Sequence, residues 1–197
     1  LVNNKQAQRK QRTVRWILQA SIWTFFLASG FALITRLLVQ GINSTVVSFV
    51  ILFLIIFIGI LFDTIGTAVA AADETPFHSK ASKKIYGAKK GIYLVKNAEK
   101  VANFCNDVIG DISGVISGTI GAFIIINLAL LRPGVNELYL NIFLAGMIAA
   151  ITVGGKAVGK YLAINHSTEV VFLAARFMTT VEKITFWGTN TQQQRRG

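Results

Sequence analysis

The chain has 197 residues, of which 53 % are hydrophobic, and its 20 Lys and Arg against 9 Asp and Glu give a formal charge of +11. So apolar a composition excludes an ordinary soluble domain. The single cysteine, Cys105, excludes an internal disulfide and a cysteine-cluster metal site and reads as a small packing residue, and the basic segments carry no nucleic-acid-binding motif, so no nucleic-acid partner is expected.

Residues 1–15 form a basic arm with Lys5, Arg9, Lys10, Arg12 and Arg15. The apolar run 16–39 follows; it is too long for the h-region of a signal peptide and lacks a small-residue cleavage site, so it reads as a retained anchor. The chain starts at Leu1 and not Met, which leaves room for residues upstream. Trp16 and Trp23 suit either headgroup-level anchoring or lipid-facing packing. A second run, 46–72, ends before Thr75-Pro76, a natural helix boundary. Residues 77–100 place Ile85, Ala88, Ile92 and Val95 near one stripe with lysines on the other side, the pattern of a helix or helical hairpin at a membrane interface, with a bend at Gly87 or Gly91. Runs 101–131 and 138–163 complete the set, each near or above the roughly 20 residues that cross a hydrocarbon core. Residues 168–187 repeat apolar positions at helical spacing around Arg176, Glu182 and Lys183, which predicts a second interfacial helix. The polar, Gln-rich stretch 188–197 is expected to be a disordered tail.

The expected fold is therefore all-α: a polytopic membrane protein with four transmembrane helices over 16–187 and amphipathic helices at the cytoplasmic interface. Seven lysines lie between the second and third runs, and Arg176, Lys183, Arg195 and Arg196 follow the fourth, whereas Arg36 and Arg132 alone flank the other ends. The positive-inside rule then predicts cytoplasmic termini and a cytoplasmic central segment, in a plasma membrane, with the turns near 41–45 and 132–136 outside. Anionic lipid is the expected companion of the basic belt.

Two features point beyond anchoring. Gly110, Gly114 and Gly118 in the third run and Gly154 in the fourth belong to strips of small residues where helix backbones approach closely, within the chain or across a dimer. Asp63, Asp107, Asp111 and Lys156 are ionisable residues inside apolar runs, where each costs about 3 kcal/mol unless paired or wetted. Counted at about 1.5 Å per residue from the cytoplasmic ends, Asp63 lies about 13 Å deep, Asp111 about 15 Å and Lys156 about 10 Å. Such a ring of oxygens suits a hard cation such as Mg²⁺; a buried Lys156–carboxylate network that only orients the helices suits the same residues. Neither His78 nor His166 has a companion at ligand spacing. Because the spans contain no phosphate loop, no HExxH and no Ser/His/acid set, no enzyme is expected.

Four blocks carry a family resemblance: LFDTIGTAV at 61–69, GAKKGIYLVKNAEKV at 87–101, CNDVIGDIS at 105–113 and GKAVGKYLAINHSTEVVFLAARF at 155–177. In order and spacing, over about residues 46–187, they resemble the transmembrane domain of the cyclin M (CNNM)/CorB/CorC magnesium transporters, with FFSASETAL-, GNNLVNI- and GEILPKxLA-type counterparts. The resemblance implies divalent cation (Mg²⁺) transport or its regulation, a homodimer, and cation ligands at Asp63, Thr67, Asp107, Asp111 and the Gly155 backbone. It also implies a following pair of regulatory CBS domains; the chain ends ten residues past Trp187, so a stand-alone membrane module is expected. Asp63 and Ile65 stand for the family's serines, Gly66 for its Glu, Asp107 and Asp111 for Asn, Gly159 for Pro and Lys156 for Glu, while Thr67 and Lys160 are retained. Lys156 is thus a charge partner or a tethered surrogate cation. The alternative reading is a non-transporting membrane scaffold or partner subunit in which the Lys156–carboxylate pair has replaced the metal.

Overall fold

The computed structural model describes residues 18–19, 21–37, 44–131 and 137–193. The basic arm 1–15, the ends of the first apolar run, most of the 41–45 turn, the 132–136 turn and the last four residues lie outside the described residues. Every element among the described residues is helical: α1 (Ser21–Leu37), α2 (Thr45–Ala71), α3 (Thr75–Ser82), α4 (Ala88–Lys96), α5 (Ala98–Asn103), α6 (Gly110–Leu131), α7 (Glu137–Asn165) and α8 (Ser167–Gln193). Three stretches are long and apolar enough to cross a membrane, Thr45–Ala71, Ala98–Leu131 and Leu138–Asn165. They coincide with the second, third and fourth apolar runs. The first run appears as α1, an apolar helix shorter than those three. α8 continues to Gln193, so the start of the stretch read as a disordered tail is helical.

The second of these stretches, Ala98–Leu131, is not a uniform α-helix. Between α5 and α6, Phe104–Ile109 form a π-helical turn. An i→i+5 turn inserts about one residue relative to the α-helix and so rotates everything beyond it by about 100°. Side chains placed on a common face by 3.6-residue counting across this turn are therefore separated.

Contacts divide the chain into two compact units, Leu1–Ile56 with Asp111–Ala149, and Phe57–Gly110 with Ala150–Gly197. In the first, Leu52, Ile56, Ile120, Ile124 and Leu144 are buried. The buried Ser117 hydroxyl donates to the Ser113 carbonyl at 2.7 Å, which satisfies its hydrogen within its own helix, as an apolar environment requires.

The second unit has a core of Ala68 and Val69 from α2, Phe77 from α3, Leu94 and Val95 from α4, Ala163 from α7, and Val171 and Ala175 from α8. Burial of a side chain such as Phe77 or Leu94 contributes about 1.5–3 kcal/mol, and this set ties three shorter or amphipathic helices to the ends of two long ones. Local signals shape that layer. Pro76 sits in the first turn of α3, where its missing N–H costs nothing. α3 closes with a pair of bonds, Lys84 N–H to the Ala81 carbonyl (2.9 Å) and Ile85 N–H to the Lys80 carbonyl (3.0 Å), with Lys84 left-handed at φ 54°. This is the Schellman closure, here with lysine at the position glycine favours. The bend expected at Gly87 or Gly91 is at Gly87, whose φ is +87° and whose missing Cβ would meet the backbone of Arg176 at 3.1 Å. Gly91 lies inside α4 with the Phe77 ring against it.

Candidate functional site

Asp63 is 4 % exposed, in the last third of α2. Two cations from α7 flank it: Lys156 Nζ lies 4.0 Å from Oδ1 and Lys160 Nζ 3.9 Å from Oδ2. Both distances lie within ion-pair range but outside the 2.7–3.2 Å of a hydrogen bond. Oδ2 of Asp63 is buried without a hydrogen-bond partner, and so is Oδ1 of Asn106. The lysines are unequally held, with side chains 28 % exposed at Lys156 and 54 % at Lys160.

Close helix approach creates this geometry. Ile60 lies against Gly155 and Thr64 against Gly159, so two glycines four residues apart on α7 receive two side chains four residues apart on α2. That is the small-xxx-small device, and it brings α7 near enough for Lys156 and Lys160, one turn apart, to reach a single carboxylate. Gly110 leaves space for the ammonium: a Cβ there would lie 3.5 Å from Lys156 Nζ. Gly66, one turn along α2 from Asp63, has Asn106 and Cys105 against its open face. By contrast, nothing comes within 4 Å of the place a Cβ would take at Gly114, Gly118 or Gly154. Beside Asp63, the glycines that receive a side chain from another helix are Gly155, Gly159 and Gly66.

The other sequence-derived candidates are distributed as follows. Thr67 donates its hydroxyl hydrogen to the Asp63 carbonyl oxygen at 2.8 Å, which leaves the hydroxyl lone pairs available to a ligand. Asp107 is exposed on the π turn, and Asp111 is exposed and belongs to the first unit, whereas Asp63 belongs to the second. Gly155 is a mid-helix residue beneath Ile60. His78 pairs with Glu74 at 3.3 Å, and His166 is exposed. Among the described residues no three His, Cys, Asp or Glu side chains gather closely enough to hold a metal ion.

Two residues of this cluster escape sequence reading. Lys160 enters the sequence reading only as a residue retained from the family pattern, yet its i,i+4 spacing from Lys156 is the signal that both face one partner. Asn106 is uncharged and so inconspicuous in sequence; it lies within the π turn Phe104–Ile109 and packs against Gly66.

In chemical terms the site is one carboxylate between two ammonium groups, a local sum of +1 with all three ionised. At about 4 Å each pair attracts by about 4 kcal/mol at an effective dielectric of 20, less for the more exposed Lys160. The orphan oxygens of Asp63 and Asn106 and the Thr67 hydroxyl are hard donors of the kind a hydrated Mg²⁺ accepts, but a cation reaches the carboxylate only as the ammonium groups withdraw. No protein family, curated protein or solved structure matches the chain.

Proposed function

We propose that the chain is a multi-pass membrane protein of CNNM/CorC-like design that serves divalent cation transport, with Mg²⁺ as the first candidate, or the regulation of that transport. Buried Asp63 carries this reading: an intramembrane acid marks a pathway or a coupling site by default, and here one of its oxygens lacks a hydrogen bond. Lys156 and Lys160 serve as tethered counter-ions. Their distances of 4.0 and 3.9 Å, without hydrogen bonds, suit cations that neutralise the acid yet can be displaced from it. Lys160, more than half exposed, withdraws first, and Asp63 then faces the arriving ion together with Thr67 and Asn106. In this reading α1 is a fourth span, α3, α4 and α8 lie at the cytoplasmic interface of a plasma membrane, both termini are cytoplasmic, and the uncovered glycines Gly114 and Gly118 meet a second copy in a homodimer.

The test is ion flux into liposomes containing the purified protein, under separate Mg²⁺, Na⁺ and H⁺ gradients, for wild type and Asp63→Asn. Mg²⁺ flux in wild type that is lost in the variant supports the proposal. The local sum of +1 around Asp63 favours a second reading, a non-transporting scaffold or partner subunit, and absence of flux for all three ions would establish it over the first.

A further inference from the structure

We propose that the α3–α4 turn is a contact site for anionic phospholipid headgroups, made by Lys83, Lys84 and Lys89; this rests on the reading that α3, α4 and α8 lie at the membrane interface. The basic side chains of this layer fall into two groups. Lys80 and Arg176 stand over the Phe172 ring at 4.2 and 5.9 Å, Lys183 stands over the Tyr86 ring at 4.6 Å, and Lys90 pairs with Glu182. These four hold the layer together. Lys83, Lys84, Lys89 and Lys96 are exposed, and no acidic side chain among the described residues pairs with them; the first three lie in or next to the α3–α4 turn, Lys96 at the far end of α4.

Two further observations select a bilayer as the occupant. α8 turns Val171 and Ala175 inward and leaves Leu173, Phe177 and Ile184 exposed at about 70 % each, an apolar stripe on a helix that begins two residues after a candidate span ends at Asn165. A bilayer surface supplies hydrocarbon for that stripe and phosphate for the lysines, whereas an acidic soluble partner supplies only the charge. The turn is also fixed in shape. Lys84 holds φ 54° and the two closing bonds lock Lys83 and Lys84 at the tip, so a charged residue is kept where glycine would cost less strain.

The experiment compares wild type with a Lys83→Gln/Lys84→Gly/Lys89→Gln variant in mixed micelles, reading the binding of fluorescent phosphatidylglycerol against fluorescent phosphatidylcholine. Glycine at 84 keeps the left-handed turn, so the variant folds. Wild type should prefer phosphatidylglycerol, and each lysine removed should lower that preference by about fivefold. Equal binding of the two lipids by wild type, or a preference unchanged in the variant, overturns the proposal. A parallel label at Phe177→Cys in liposomes separates the two layers of the argument. If lipid-phase quenchers reach it but phosphatidylglycerol is not preferred, the headgroup site fails and the interfacial reading stands. If only aqueous quenchers reach it, both fail.

Discussion

Lys160 Nζ lies 3.9 Å from Oδ2 of Asp63, on the carboxylate oxygen opposite the one that Lys156 faces. Each oxygen thus has its own cation, and the two lysines are separable contributors. Lys156→Met or Lys160→Met alone leaves Asp63 one partner and should lower stability by about 1 kcal/mol, with Lys156 the larger because its side chain is less exposed. The double variant strands a buried carboxylate and should cost about 3–5 kcal/mol. Thermal melting of the four proteins as a double-mutant cycle measures the coupling; additive losses would mean that the lysines do not share Asp63.

Charge reversal probes the same site through its ions. Lys156→Glu changes Asp63, Lys156 and Lys160 from a sum of +1 to −1. The variant should melt at a higher temperature with Mg²⁺ than with a chelator, by about 2.7 kcal/mol of stability at a hundredfold excess over Kd. Wild type should shift less, because its two ammonium groups already neutralise the acid. If the variant ignores Mg²⁺, Asp63 is a structural ion-pair partner.

Glycine substitutions distinguish packing inside the chain from packing between chains. Gly66→Ala drives a methyl into Asn106 and Cys105 and should destabilise the fold by about 1–3 kcal/mol. Gly114 has nothing within 4 Å of a would-be Cβ, so Gly114→Leu should leave the melting of a monomer unchanged and reduce dimer content in detergent. A Gly114→Leu protein that keeps wild-type oligomer size would remove this strip from any dimer interface.

Lysine at position 84 pays a conformational penalty. Lys84→Gly should raise stability by about 1 kcal/mol, since glycine enters the left-handed region without a Cβ clash. Denaturation in a neutral detergent isolates this backbone effect from lipid binding, and a loss of stability there would show that the Lys84 side chain makes a contact of its own.

The proposed topology rests on the lysine distribution. A single cysteine placed at Lys89, in a Cys105→Ser background, should react with a membrane-impermeant thiol reagent only from the cytoplasmic side of oriented vesicles. Labelling from the outside would invert the arrangement.

Helix positions were legible in sequence because three apolar runs, 46–72, 101–131 and 138–163, match three long helices to within a few residues. Length and apolarity act locally, so they survive without knowledge of neighbours. Asp63 and Lys156 were legible for a similar reason: charge in hydrocarbon is conspicuous whatever surrounds it. What could not be read depends on helix phase and on partners. Uniform 3.6-residue counting would put Asp107 and Asp111, four residues apart, on one face, but the Phe104–Ile109 turn shifts the phase between them, and it is Asn106 that lies against Gly66 of α2. Likewise, glycine spacing showed that helices approach closely without showing which glycines do so, since Gly155 and Gly154 are adjacent in sequence yet one meets Ile60 and the other open space.

The π turn also has a mechanical consequence. Its surplus residue is a defect that can be handed along a helix one turn at a time, with both helix ends remaining where they are. Passing it from Phe104–Ile109 back into α5 would rotate the side chains it traverses by about 100° about the helix axis, and sideways displacement of the whole rod would not be needed. A segment of this kind behaves as a rotary coupling, able to turn one band of residues toward or away from α2 while the anchored ends hold their grip.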